Sequence, residues 1–475
     1  METRPFLVNG EWRTGEGTFT VHNPFDDSVV AEIGVPTDAD VEEATATAAA
    51  TFEESQHLPI HARSEALDHI SKRLSETIDE NAALIAREGG KPLKWAKVEA
   101  TRAVSTFRWA SEVIRHGDDE LMRLDTEAAL GSRLGILRRF PVGPVLGITP
   151  FNFPLNLVAH KVAPSLGVGA PIVVKPASWT PIGSLRLAEF FAETDLPKGM
   201  YQVLPVRSKV ADGMARDERY RKISFTGSAA IGWYLKGLDP KKRVTLELGG
   251  NAGVIVHSDA DLDLAAARVA FGGYYQAGQS CISVQRVLVA SEVYDDFADR
   301  LVKQVESLKV GDPMDPTVDV GPVIEKGEVT RIGEWVDEAV AQGAEVLTGG
   351  TGDGPFFQPT LISQTTPEMK VRCEEIFGPV VTISPYQTFE EALAEVNNSK
   401  YGLQAGVFTN DINRAFEAHR TLEVGGVIVN DVSAFRADQM PYGGSKDSGF
   451  GREGLRFAME EMTEPRLMVL SNVPL

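Results

Sequence analysis

The sequence predicts an α/β protein in which a parallel, doubly wound sheet is followed by a second α/β domain. Three observations carry that expectation. Short β-rich apolar runs ending in turn residues recur along the chain, most gaps between them are long enough for a crossover helix, and 475 residues exceed one compact core of ordinary size.

Taken in order, residues 38–116 read as helical, with Ala-rich stretches and apolar positions such as Leu67, Ile70, Leu74 and Ile78 at helical spacing. The period then changes. Runs at Val145–Thr149, Ile172–Lys175, Tyr201–Val206, Ile223–Thr226 and Val244–Leu248 read as strands of a doubly wound, nucleotide-binding sheet. A second set follows at Gly253–His257, Val284–Ala290, Val380–Tyr386, Gln404–Thr409 and Val427–Asn430, alternating with helical patterns. Two strand-like pieces, Leu121–Phe140 and Pro465–Leu475, fall outside both sets, and they are expected to pair with each other or with another subunit. No repeat or low-complexity tract interrupts the pattern.

Hydrophobic residues make up 43% and charged residues 24%, a globular balance. Lys+Arg of 47 against Asp+Glu of 67 gives a net charge of -20, a field that repels phosphate backbones and anionic membrane surfaces and disfavours nucleic-acid binding. The opening residues contain no apolar signal core and no stretch approaches a membrane span, so a cytoplasmic protein is expected. Cys281 and Cys373 could form at most one bridge, and neither a CxxC nor an HExxH spacing offers a metal site.

Chemistry gathers at a few positions. Cys281 ends the run Gly278-Gln279-Ser280-Cys281, where an activated thiol could attack a carbonyl carbon. Glu247 closes an apolar strand before Gly249-Gly250, where a sharp turn could leave its carboxylate in a cleft as a base. Asn152, in Pro150-Phe151-Asn152-Phe153-Pro154, follows a strand between two stiffening prolines and could donate to an oxyanion. Phe225-Thr226-Gly227-Ser228 follows a strand and opens a helix, so its backbone N–H groups and a hydroxyl could face a pyrophosphate, although the G-x-G-x-x-G fingerprint is absent. Taken singly, each fits a blander alternative: a buried small hydrophobe, a solvated strand-end glutamate, a turn asparagine.

Together these motifs, with Lys175-Pro176-Ala177, Glu375-Ile376-Phe377-Gly378-Pro379 and Pro441-Tyr442-Gly443-Gly444, resemble the aldehyde dehydrogenase superfamily over essentially the whole chain. Cys281-Ile282-Ser283-Val284-Gln285-Arg286 and Phe435-Arg436-Ala437-Asp438-Gln439-Met440 are similar to the lactaldehyde dehydrogenase and non-phosphorylating glyceraldehyde-3-phosphate dehydrogenase branch. The resemblance implies oxidation of an aldehyde to an acid with NAD+ or NADP+ as coenzyme. It makes Cys281 the nucleophile, Glu247 the general base, and Asn152 with the Cys281 N–H the oxyanion hole. Lys175, Ser178, Thr226, Gly227, Ser228, Glu375 and Phe377 would meet coenzyme, and Phe153, His160, Arg436 and Tyr442 would line the substrate tunnel. Lys161 and Glu453 match positions proposed to pass protons, with a structural salt bridge as the alternative.

The implied fold has a Rossmann-type coenzyme domain (1–117 and 139–249), a catalytic domain (250–461) and an oligomerisation arm (118–138 and 462–475), assembled as a homodimer or homotetramer. Two positions depart from the family pattern. Tyr201-Gln202-Val203-Leu204-Pro205-Val206 lacks the glycine that commonly follows this strand, and Ser178 stands where NAD-preferring members often carry glutamate, which implies tolerance of NADP+. The substrate expected is a small polar or anionic aldehyde. Competing readings are a CoA-acylating enzyme, disfavoured by the presence of Glu247, and a catalytically silent binding protein, disfavoured by retention of Asn152, Glu247 and Cys281.

Overall fold

The computed structural model describes residues 3–117 and 119–473, so Met1, Glu2, Asp118, Pro474 and Leu475, at the outer limits of the expected domain boundaries, lie outside the described residues. The helical stretch after residue 38 resolves into four helices, Asp38–Ser55, Ile60–Glu76, Ile78–Gly89 and Leu93–His116. The first starts where Thr37 and Asp40 form a reciprocal cap, the Asp40 N–H donating to the Thr37 hydroxyl at 3.1 Å and the Thr37 N–H to the Asp40 carboxylate at 2.8 Å. The breaks fall at Pro59, at Thr77, and at Gly90-Lys91-Pro92.

The first sheet has eight strands, and its centre is parallel in the order Arg243–Glu247, Lys222–Thr226, Val145–Ile148, Ile172–Lys175, Tyr201–Val203. Strand order therefore reverses between Val145–Ile148 and Lys222–Thr226, the switch point at which doubly wound sheets open a crevice beyond their carboxyl ends. Antiparallel edges are supplied from far away in the chain: Phe6–Val8 at one side and the two-residue strand Gly449–Phe450 at the other. The latter brings the helix Leu455–Glu461 back onto the first core, where Leu455, Met459 and Met462 are buried.

The second sheet has seven strands, including Ala252–Val256, Val284–Ala290, Val380–Tyr386, Gln404–Phe408 and Gly426–Val429, all parallel, with Thr360–Ser363 and Glu345–Thr348 added at one edge. Both sheets are covered by helices, which explains why the strands read as continuous apolar runs rather than as alternating ones. The two outlying pieces do pair: Thr463–Ser471 runs antiparallel to Arg133–Pro141 through nine register partners, and Glu120–Arg123 adds a third strand. Leu467, Met468, Val469 and Leu470 on that strand remain 37–51% exposed.

Candidate active site

Ile148, Lys175, Thr226 and Glu247 end neighbouring strands in register, so the loops after them converge on one rim. They border a cleft of about 1040 Å3, at the upper end of the usual size for ligand pockets, which also meets Asn152, Ser178, Gly227, Ser228, Cys281, Glu375 and Phe377. Every coenzyme position expected from the sequence lies on this cleft. The Lys175 ammonium is mostly buried, its pKa lowered by burial, and has no carboxylate partner among the described residues. Ser228 occupies the N-cap of the helix Ala229–Leu238 without using its hydroxyl for capping. Thr226 departs from expectation in one respect: its hydroxyl accepts from the Lys161 ammonium at 2.7 Å. Ser178 is exposed at the rim.

Loops of the second sheet close the cleft. Glu375 accepts from the Gly250 N–H at 2.9 Å, and burial pushes its carboxyl up to about 7. A side-chain carbon at Gly249 would lie 2.0 Å from the Glu375 carboxylate, so glycine there leaves room for that carboxylate to reach the Gly250 N–H. Phe377, with φ 48°, packs edge-on against Phe151 at 5.9 Å between ring centres.

Beyond Cys281 lies a smaller cavity of about 380 Å3, lined by Phe153, Arg436 and Tyr442 together with Lys91, Arg102 and Arg268. Cys281 borders both spaces. Its Sγ sits 3.1 Å from the Tyr442 hydroxyl, and although the residue is only partly covered, desolvation pushes the thiol up to about 12. Asn152 donates through Nδ2 to the Gln279 carbonyl at 3.1 Å, two residues before Cys281, and Gln276 donates to the Asn152 carbonyl, which fixes the amide beside the thiol loop.

Glu247 is buried and neither carboxylate oxygen has a hydrogen-bond partner. Burial, then the negative charge of Glu453, raises its pKa well above the usual carboxylate range. The left-handed Gly443 (φ 154°) keeps the space beside it open, since a side-chain carbon there would come 2.9 Å from Glu247 Oε1.

Glu453 accepts from Lys161 at 2.9 Å and from Arg436 at 3.1 Å. Burial alone would raise its carboxyl, but those two cations hold it well below the ordinary value. Arg436 stacks 3.7 Å over the Tyr442 ring. His160 corrects the expectation: it does not line the cavity. It lies one turn deeper than Asn156 and Leu157 on the helix Asn156–Val168, its Nε2 3.0 Å from Asp438 Oδ1. Burial, then the Arg436 charge, lowers its pKa. The same carboxylate holds Arg102 at 2.8 Å.

Sequence reasoning missed Lys91, Arg102 and Arg268 as cavity-wall cations. The helix break at Gly89-Gly90 could have flagged Lys91; Arg102 and Arg268 sit inside helices and carry no local signal. Both cysteines are free thiols. Among the described residues no cluster of His, Cys, Asp or Glu is placed to hold a metal, and no helix is long and apolar enough to cross a membrane.

A cleft at the switch point of a doubly wound sheet, closed by a second α/β layer, places the chain in the class of doubly wound α/β proteins that bind a ligand beyond the carboxyl ends of their strands. Within that class it belongs to the Aldehyde dehydrogenase family, whose pattern matches residues 12–468. It is an NAD(P)+-dependent aldehyde dehydrogenase. The chain is 41% identical over 465 residues to a 3-sulfolactaldehyde dehydrogenase of Priestia aryabhattai, covering 98% of this chain and 97% of the relative. It superposes on aldehyde dehydrogenase 21 from Physcomitrella patens in complex with the reaction product succinate, with a TM-score of 0.97, 42% identity and 99% coverage of both chains. It is also similar to glyceraldehyde-3-phosphate dehydrogenase from Methanocaldococcus jannaschii complexed with NADP, with a TM-score of 0.92 and 37% identity over 96% of this chain and 99% of that one.

Proposed function

We propose that the protein oxidises a short aldehyde bearing an anionic or strongly polar group to its carboxylic acid, through a thiohemiacetal and a thioester on Cys281. One observation carries this reading: Cys281 stands between the coenzyme-sized cleft and a small cavity whose wall carries Lys91, Arg102, Arg268 and Arg436 against Glu99 as the single lining carboxylate. Each cation leans on an acid, Arg436 on Glu453, Arg102 on Asp438, Arg268 on Asp431 and Lys91 on Glu99, which holds the group in place for an incoming anion. The 3-sulfolactaldehyde relative and the succinate-bound neighbour both handle anionic compounds, in keeping with this class.

The Cys281 thiol gives up its proton to water in the cleft while the Tyr442 hydroxyl donates to the thiolate; as the S–C bond to the aldehyde carbon forms, the carbonyl pair moves to oxygen and the sulfur loses its charge. The Asn152 amide and the Cys281 N–H stabilise the oxyanion. NAD(P)+ supplies the hydride acceptor when bound. The unpartnered Lys175 ammonium, the uncommitted Ser228 hydroxyl and the Glu375 carboxylate fit its ribose and phosphate groups, with Gly227, Thr226 and Phe377 shaping the floor. Glu247, desolvated and therefore a stronger base than a surface carboxylate, takes a proton from the water that attacks the thioester. Its two unpartnered oxygens favour water over CoA as acyl acceptor.

Ser178 at the cleft rim places no charge against a 2′-phosphate, so both coenzymes are accepted. Residues 1–117 and 139–249 form the coenzyme domain, 250–461 the catalytic domain, and 118–138 with 462–475 an arm. The exposed apolar strand of that arm joins copies into a cytoplasmic homodimer or homotetramer.

The test compares kcat/KM, with both coenzymes, for 3-sulfolactaldehyde, lactaldehyde, the four-carbon semialdehyde that yields succinate, and neutral aldehydes of matched length. Preference for the anionic members by tenfold or more, about 1.4 kcal/mol, is expected. Equal turnover of neutral aldehydes refutes the substrate class, and no turnover of any aldehyde refutes catalysis through Cys281.

A further inference from the structure

The polar groups around the cavity beyond Cys281 are of two kinds. Lys91, Arg102, Arg268 and Arg436 offer only protons and so suit an anion. Tyr275, Gln276 and Ser280 line the same cavity, on the turn that leads into the thiol. Gln276 and Ser280 are each 4% exposed. Gln276 and Ala277 both hold the left-handed conformation at φ 54°, and Gly278 follows at φ 69°. Residues with a side chain seldom adopt it, and such outliers gather at ligand sites.

The contacts of this turn fix what each group has left to give. Gln276 Nε2 donates to the Asn152 carbonyl. A carbonyl only accepts, so the amide cannot turn over, and Gln276 Oε1 is left buried with no partner among the described residues. Tyr275 is held by Phe271, stacked at 5.1 Å between ring centres, and by Trp95, edge-on at 6.4 Å. Its hydroxyl donates to Ser280 Oγ at 2.8 Å, and burial pushes that phenol up to about 12, so it keeps its proton. Ser280 Oγ is thereby used as an acceptor, and its own proton meets no acceptor among the described residues.

The turn therefore presents one free acceptor and one free donor. A sulfonate or carboxylate carries no proton for Gln276 Oε1, and an aldehyde oxygen only accepts. An ammonium could donate, but four cations in the same wall repel it. A hydroxyl both donates and accepts, is uncharged, and satisfies both groups. Ser280 directly precedes Cys281, whose Sγ takes the carbonyl carbon, and Gln276 holds the Asn152 loop at the carbonyl oxygen. Both thus flank the reacting carbon, which puts the hydroxyl on the carbon next to it.

We propose that Gln276 and Ser280 recognise a hydroxyl on the carbon adjacent to the aldehyde, Gln276 Oε1 accepting its proton and the Ser280 hydroxyl donating to its oxygen. Tyr275 sets the direction of that donation. The substrate is then a 2-hydroxyaldehyde whose anionic group lies farther out against the cationic wall. This rests on the reading of Cys281 as nucleophile and narrows the substrate class given above. With the carbonyl carbon, the hydroxyl and the anion each held, one enantiomer fits and its mirror image does not.

The experiment compares kcat/KM for aldehydes that differ only in this hydroxyl, 3-sulfolactaldehyde against 3-sulfopropanal and lactaldehyde against propanal, with the hydroxy compounds as separate enantiomers. It uses wild type, Ser280→Ala, Gln276→Leu and Tyr275→Phe with one coenzyme. In wild type, one enantiomer of each hydroxyaldehyde should exceed its deoxy partner by about tenfold or more. That ratio should fall toward one in Ser280→Ala and Gln276→Leu, and partway in Tyr275→Phe. Both members of a pair undergo the same chemistry at Cys281, so a merely structural role lowers both and leaves the ratio where it was, which overturns the proposal. A wild-type ratio near one overturns it as well. Ser280→Ala decides the outcome by itself should Gln276→Leu loosen the Asn152 loop. Failure of the anionic reading shows separately, as equal kcat/KM for the sulfonated and neutral pairs, with the hydroxyl ratio intact.

Discussion

Replacing Tyr442 by phenylalanine removes one hydroxyl and little else. The ring stays, so its stacking under Arg436 at 3.7 Å and its place in the cavity wall are retained, while the 3.1 Å contact to Cys281 Sγ disappears. A hydrogen bond to a charged group contributes about 1.5–3 kcal/mol, and the thiolate is the charged partner here. At 1.36 kcal/mol per pH unit, the Cys281 titration should move upward by about 1 to 2 units from its already raised position. The sign is fixed by which form the hydroxyl favours: donation stabilises thiolate, so its loss favours thiol. The assay is the pH dependence of alkylation by iodoacetamide, performed in a Cys373→Ser background because Cys373 is the other free cysteine. At any pH below the midpoint, alkylation of the Tyr442→Phe enzyme should be slower by about 10- to 150-fold. An unchanged or lowered midpoint would show that the hydroxyl does not support the thiolate, and the role given to Tyr442 would have to be abandoned.

Glu247→Gln should leave an NAD(P)H burst followed by a stalled thioester, visible as an acyl adduct on Cys281 by mass spectrometry. Because burial raises the Glu247 pKa, the wild-type deacylation rate should climb with pH through that raised value, and the Gln variant should lack this limb. Arg436→Ala should cost about 10- to 150-fold in kcat/KM for an anionic aldehyde and clearly less for a neutral one; equal losses would mean that Arg436 serves only Glu453. Ser178→Glu should weaken NADP+ binding, measured by fluorescence quenching, by up to about a thousandfold, the equivalent of about 4 kcal/mol for like charges 4 Å apart, while NAD+ binding changes little. If the arm strand joins copies as proposed, wild type should sediment as a dimer or tetramer and Leu467→Lys combined with Val469→Lys as a folded monomer, whereas a monomeric wild type or an assembly retained in the variant would refute that interface.

Much of the scaffold was legible in one dimension, for a specific reason. A parallel strand buried on both faces is built mostly of apolar residues rather than alternating ones, so Ile172–Lys175, Val284–Ala290 and Val380–Tyr386 announce themselves with their observed limits. Residues that end such strands inherit a position on the sheet's carboxyl rim, which is why Lys175, Thr226, Glu247 and the loop with Asn152 were found together on the cleft. Strands outside that regime stayed hidden. Gly449–Phe450 is two residues long and is held in the first sheet by pairing with Leu246 and Glu247 rather than by any pattern of its own.

Partner choice among side chains was decided only by the tertiary structure. Sequence placed His160 and Arg436 in the tunnel and Lys161 beside Glu453; packing turned His160 away to Asp438, stacked Arg436 on Tyr442 while tying it to Glu453, and spread the Lys161 ammonium over two hydroxyls as well. Lys91, Arg102 and Arg268 became one cationic wall only because the helix Leu93–His116, with Lys91 in the break before it, meets the distant helix Leu262–Tyr274 beside Cys281. Periodicity reports which face of an element is covered, because burial depends on one residue at a time. A contact depends on two residues and on the distance between them, which is set by how the elements pack.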